Sequence, residues 1–103
     1  MTTFDDREAA FENKFAHDEE LRFKAIARRD RLVGLWAAEK LGKTGADADA
    51  YARDVVSTDL KKPGDEDVYA KLRADLPAEI SDAEIRKQML DLLARAVKEI
   101  ETQ

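Results

Sequence analysis

Apolar positions recur at helical spacing along this chain and fall into five stretches. The first runs from about Thr3 to Glu20. Wound as a helix, it brings Phe4, Phe11 and Phe15 within ~40° of one another, because steps of seven and eleven residues nearly close whole turns. The stripe is narrow, flanked by Arg7 and Lys14 on one side and by Glu8, Glu12 and Glu19 on the other. The second stretch, Leu21 to Leu41, carries two apolar stripes: Leu21, Ala25, Leu32 and Trp36, then Phe23, Ile26, Val33, Ala37 and Leu41. A helix with two apolar faces packs between neighbours, so this one is expected to be the longest and most central. Gly42 stands where a helix-terminating C′ glycine belongs. Nothing between Glu20 and Leu21 forces a break, and the pattern allows the first two stretches to run on as one helix.

The third stretch starts near Thr44, whose hydroxyl is placed to cap with Asp47. It presents Ala48, Tyr51, Ala52 and Val55 on one face and ends before the turn signal Lys61-Lys62-Pro63-Gly64. The fourth opens on Asp65-Glu66-Asp67, acids that the helix dipole favours at an N-terminus. Val68, Tyr69, Leu72 and Leu76 face inward before Pro77 ends it. The fifth has the sharpest start: Ser81-Asp82-Ala83-Glu84 is a capping box, with Ile80 and Ile85 placed as a hydrophobic staple. Ile85, Met89, Leu92, Leu93, Ala96 and Ile100 carry its core face. The fold class expected is all-α: a four-helix bundle over residues 21–103, preceded by a mobile or loosely packed N-terminal helical segment, residues 1–20.

Abundant helix formers, with only two prolines and four glycines, agree with this. At 103 residues the chain is one domain with a modest core. The absence of cysteine excludes disulfides and thiolate metal sites and fits a reducing cytoplasm. No apolar run approaches the ~18–20 residues a bilayer requires. The acidic start is unlike a signal peptide, so no direct membrane insertion is expected. Charge is unevenly placed: residues 1–20 hold seven acids and two bases, whereas residues 21–40 hold six bases and two acids. With a net charge of −5 the chain is not a nucleic-acid binder by bulk electrostatics. The basic block is suited to an acidic protein surface.

Catalytic chemistry is sparse. There is one histidine, and of the two serines, Ser57 and Ser81, the second is better used as a cap. No nucleophile–base arrangement suggests itself, and no enzyme activity, metal or cofactor is expected. Gly42-Lys43-Thr44 looks like the end of a phosphate-binding loop, but the required earlier glycine is Ala37 and the stretch follows a helix rather than a strand. Asp65, Glu66 and Asp67 lack the spacing of a calcium loop. His17 and Glu20, three residues apart, are weaker as metal ligands than as exposed side chains. The run Arg28-Arg29-Asp30-Arg31 reads by default as a solvated face. Within it, Lys24, Arg28 and Arg31 share one side of the helix and form a candidate docking face for an acidic partner.

Burial of three phenylalanines falls short of the cost of ordering some eighteen residues at a chain end. The first stretch is therefore held weakly if it packs on its own domain alone. Laying its aromatic anchors into a larger partner groove would change that balance; the alternative is an outer helix of the bundle, with the phenylalanines as ordinary core.

TTFDDRE, ENKFAHDEELRFKA, ARRDRLVGLWAAEKLG and PGDEDV together resemble the zeta subunit of the F-type ATP synthase of alphaproteobacteria. The likeness runs from Met1 to about Leu76 and is strongest over residues 2–42. Asp30 departs from it, standing where the family pattern has Asn; Val33 stands where the pattern has Leu. The resemblance implies a four-helix bundle and a regulatory subunit that inhibits ATP hydrolysis. It also implies an N-terminal inhibitory segment that inserts as a helix at a catalytic α/β interface near γ. Its partners would be the α/β and γ subunits. Its location would be cytoplasmic, peripheral on the inner membrane through the synthase, and the free protein is expected to be monomeric. Carried onto this chain, the anchors are Phe4, Phe11 and Phe15, with Arg7 and Lys14 as charged contacts. His17, at the junction with the bundle, is a candidate pH-sensing hinge, since its ordinary pKa lies near neutrality. An unchanged pH profile of inhibition in His17→Gln would remove that role. The alternative is a helical adaptor that binds another protein without inhibiting an ATPase.

Overall fold

A computed structural model describes residues 18–61 and 64–102. They form four helices: α1 (Glu19–Lys40), α2 (Gly45–Lys61), α3 (Asp65–Asp75) and α4 (Asp82–Glu101). Among the described residues there is no strand, and the four-helix bundle expected from the pattern is the architecture found. α1 packs against both α2 and α4, while α3 contacts each of those two. That explains the two apolar stripes of α1, which is also the longest helix at 22 residues.

The core joins Val33, Ala37 and Ala38 of α1, Tyr51 and Val55 of α2, Val68 and Leu72 of α3, and Ile85 and Met89 of α4. A smaller cluster of Ala25 and Ile100, with Leu21 and Val97 against it, closes the other end between α1 and α4. Gly34 sits where α1 and α2 cross. A Cβ built there would lie 2.7 Å from the Ala52 Cα, so only a residue without a side chain allows this approach.

The ends of the helices follow their local sequence. α1 stops in a Schellman motif: Gly42 takes φ +76°, the Lys43 N–H donates to the Ala38 carbonyl (2.9 Å), and the Gly42 N–H donates to that of Glu39 (3.1 Å). Gly42-Lys43-Thr44 is thus a helix stop followed by a helix start. The Ser81 hydroxyl accepts from the Glu84 N–H at 3.1 Å, one half of the expected capping box, and Ile80 packs against the core cluster that contains Ile85. Arg73 fastens the turn between α3 and α4. Its guanidinium donates to the carbonyls of Pro77 and Ile80, each at 2.8 Å, and to the Asp82 carboxylate at 2.7 Å.

Two local expectations are corrected. The first two stretches do not run on as one helix: Asp18 is extended (φ −137°, ψ 91°), and its carboxylate accepts from the Leu21 N–H at 3.0 Å. A carboxylate cap satisfies a free N–H at the start of α1, so the helix begins at Glu19. Phe23, expected within an apolar stripe, is 57% exposed, on the rim of a groove between α1 and the end of α2.

Candidate functional site

The run Arg28-Arg29-Asp30-Arg31 is not the uniform solvated face it resembles. Arg29 and Asp30 are buried in the middle of α1, with Arg28 half-buried and Arg31 exposed. Their register accounts for it. Arg29 is one turn beyond Ala25 and one turn before Val33, both fully buried, so its side chain must enter the bundle. The Arg29 Nε donates to Asp30 at 2.8 Å, and its Nη2 donates to Asp65, the first residue of α3, at 2.9 Å.

Across the helix pair, Asp59 near the end of α2 is also buried, one turn beyond Val55. Its carboxylate accepts from the Gly64 N–H at 3.2 Å and is hydrogen-bonded to Asp30. A bond between two carboxyl groups needs a proton, and Asp30 is the one that holds it. Burial, then the bond to Asp59, pushes the Asp30 carboxyl up to about 8, with Arg29 opposing. At neutral pH, Asp30 therefore donates to Asp59 and accepts from Arg29. The chain of bonds ties the middle of α1 to the end of α2, to the turn beyond it and to the start of α3.

The sign of the pH dependence follows. Asp30 is raised in the folded state from an ordinary 3.8 to about 8. The stability from its retained proton is complete below about pH 4, declines through the interval and is gone above about pH 8. Between pH 7 and 8 the loss is about 1 kcal/mol. Asp30→Asn fixes the protonated pattern permanently: the amide donates to Asp59 and its oxygen accepts from Arg29. Denaturant unfolding at pH 6 and pH 9 is expected to show a drop of about 1–3 kcal/mol for the native chain, beyond that of the variant. Parallel pH profiles for the two proteins would exclude a proton on Asp30.

Beside this cluster lies a groove of about 350 Å³, lined by Phe23, Ile26, Ala27 and Asp30 of α1, Val56, Asp59 and Leu60 of α2, and Gly64 and Asp65. Its lining is mostly apolar and includes three carboxyl groups. Phe23 and Leu60, its two outer members, are the large hydrophobic residues left exposed among those described, at 57% and 56%. The sequence reading missed both cluster and groove. The available signal was the entry of Arg29 and Asp59 into the core register of their helices.

The residues singled out from the sequence are placed as follows. Phe4, Arg7, Phe11, Lys14, Phe15 and His17 lie outside the described residues. Lys24 pairs with Glu20 at 3.3 Å along the exposed side of α1. Arg28 turns towards α4, 3.7 Å from Glu99, and Arg31 turns towards α2, 3.8 Å from Asp49. The three cations therefore diverge, each beside a carboxylate. Asp65 and Glu66, weighed as calcium ligands, instead meet Arg29 and Arg86, the latter as a two-bond fork with Glu66 at 3.0 and 3.1 Å. Among the described residues no group of three or more His, Asp or Glu side chains is placed to hold a metal ion. None of the described helices is long and apolar enough to cross a membrane.

The family model for ATPase inhibitor subunit zeta matches residues 1–99. A chain whose structure was solved in solution by NMR is 44% identical over 80% of this chain and 96% of its own, with a TM-score of 0.73. No curated protein matches the chain.

Proposed function

Because the chain belongs to the ATPase inhibitor subunit zeta family, we propose that it is the regulatory subunit that restrains ATP hydrolysis by an F-type ATP synthase, with residues 1–20 as its inhibitory element. The observation that carries this reading is the reach of the family match, which begins at residue 1 and so includes the phenylalanine stripe. The bundle supports it from the other side. Among the described residues its helices close a core from residue 25 onward, and the Asp18 cap starts α1 afresh after the segment. The segment inserts as a helix at a catalytic α/β interface near γ. Phe4, Phe11 and Phe15 fill apolar pockets, and Arg7 and Lys14 meet acidic groups at the rim. The bundle remains outside as the anchor. Binding only some of the states through which a rotating enzyme passes would obstruct one direction of turnover more than the other.

Steady-state ATP hydrolysis by the cognate synthase, stripped of this subunit, tests the proposal. The full chain is expected to lower the rate, and a chain lacking residues 1–19 to leave it unchanged. Equal inhibition by both would place the blocking surface on the bundle. No inhibition by either would favour the adaptor reading.

A further inference from the structure

The groove between α1 and α2 is apolar at its rim and short of positive charge within. Phe23 and Leu60 on the rim are each more than half exposed, and Ile26, Ala27 and Val56 continue the apolar lining. Its volume of about 350 Å³ lies within the range of small-ligand sites, which join apolar walls to a few polar groups. Three carboxyl groups line it. The one cation bonded to them among the described residues is Arg29, which is engaged by Asp30 and Asp65. Asp59 is nine-tenths buried, yet its partners are the Gly64 N–H and the proton on Asp30, and no cation among the described residues pairs with it. A buried carboxylate is ordinarily paired. Asp65, with its side chain 34% exposed, lines the same space. With Asp30 protonated, the lining is therefore one positive charge short; with Asp30 ionised, it is two short. The exposed cations Lys24 and Arg31 of α1 stand beside carboxylates of their own, Glu20 and Asp49, and Lys61 is exposed at the end of α2.

We propose that this groove is a binding site for a small organic amine in its ammonium form, its apolar body held between Phe23 and Leu60 and its cationic end against Asp59 and Asp65. The same carboxylates exclude an anion, and a neutral apolar molecule leaves Asp59 without a counter-charge. A cation favours the ionised form of the carboxyl groups around it. The ammonium therefore takes the place of the proton on Asp30, and a proton leaves as the cation arrives. The charged groups around Asp30 are Arg29 on its own helix, Asp59 of α2 and, across Arg29, Asp65 of α3. Asp30 is the one raised into the neutral range, to about 8. Affinity for the amine accordingly rises with pH, by up to about tenfold per unit below pH 8, and levels off above it. The site is independent of the inhibitory function proposed above.

The probe is 4-phenylbutylamine, titrated into the isotope-labelled full chain at pH 6, 7 and 8, where an alkylamine stays protonated. The corresponding alcohol and carboxylate serve as its neutral and anionic counterparts. Saturable shifts of the Ala27, Val56, Leu60 and Gly64 amides are expected, with those of Leu92 and Val97 unmoved. At pH 8 the amine is expected to bind at least about tenfold more tightly than the alcohol, and the carboxylate not at all. Its affinity is expected to rise at least about fivefold from pH 6 to pH 8. Asp30→Asn, which has no proton to release, is expected to bind the amine with no pH dependence, and so separates Asp30 from titrating groups elsewhere in the chain. Leu60→Ala, at an exposed position, is expected to weaken binding about threefold or more. Equal affinity for amine and alcohol would make the groove a plain apolar patch and overturn the proposal. Shifts that never saturate would overturn it too, as would a pH slope that is absent from the native chain or persists in Asp30→Asn.

Discussion

Replacing Arg29 with methionine is expected to remove about 3–5 kcal/mol of stability, the range found when one partner of a buried ion pair is deleted. For a domain of this size the total is about 5–15 kcal/mol, so the midpoint of thermal unfolding should fall by roughly 15 °C or more. Methionine fills the space, so the loss measures the uncompensated groups rather than a cavity. Asp65 loses its cation at the start of α3, and Asp30 loses the donor that balances its contact with Asp59. Arg29→Lys is expected to recover only part of the loss. A guanidinium reaches Asp30 through Nε and Asp65 through Nη2 at once, whereas an ammonium offers donors at a single point. A methionine variant within about 1 kcal/mol of the native chain would mean that burial of the charge costs as much as its partners return.

The second large effect is at Gly34. In a helix interior, Gly→Ala alone would gain about 1 kcal/mol from backbone propensity. Here the new Cβ meets the Ala52 Cα at 2.7 Å, the Ala52 Cβ at 3.2 Å and the Val55 Cγ2 at 3.3 Å. The closest of these is backbone and cannot rotate away, so α1 and α2 must separate. Overpacking of this kind costs about 1–3 kcal/mol. Gly34→Ala is therefore expected to be net destabilising by about 1 kcal/mol and Gly34→Val by about 3 kcal/mol. Urea midpoints for the two variants decide it; an alanine variant more stable than the native chain would show that the crossing has slack.

The two sites differ in how far the sequence discloses them. The capping box at Ser81, the stop at Gly42 and the period of α4 are local signals, complete within a few residues, and each is found where the pattern places it. The burial of Arg29 is settled by Asp65, 36 positions away. The proton on Asp30 depends on Asp59 from another helix. Composition sees these residues only as charges, and charge by default implies solvent. Phe23 errs in the opposite sense: an apolar residue at core spacing is left on the rim of a groove. The break at Asp18 was legible in principle, since Asp18 precedes Glu19 and Glu20 as a capping residue precedes first-turn acids. Helix-forming residues on both sides obscured it.

That break has a mechanical consequence. An unbroken helix is stiff in torsion, and whatever gripped one end would turn the other with it. At Asp18 the hydrogen-bonded ladder starts afresh, and single backbone bonds without helical restraint carry almost no torque. In the function proposed above, a bundle joined at such a point would turn without levering the held segment out of its seat.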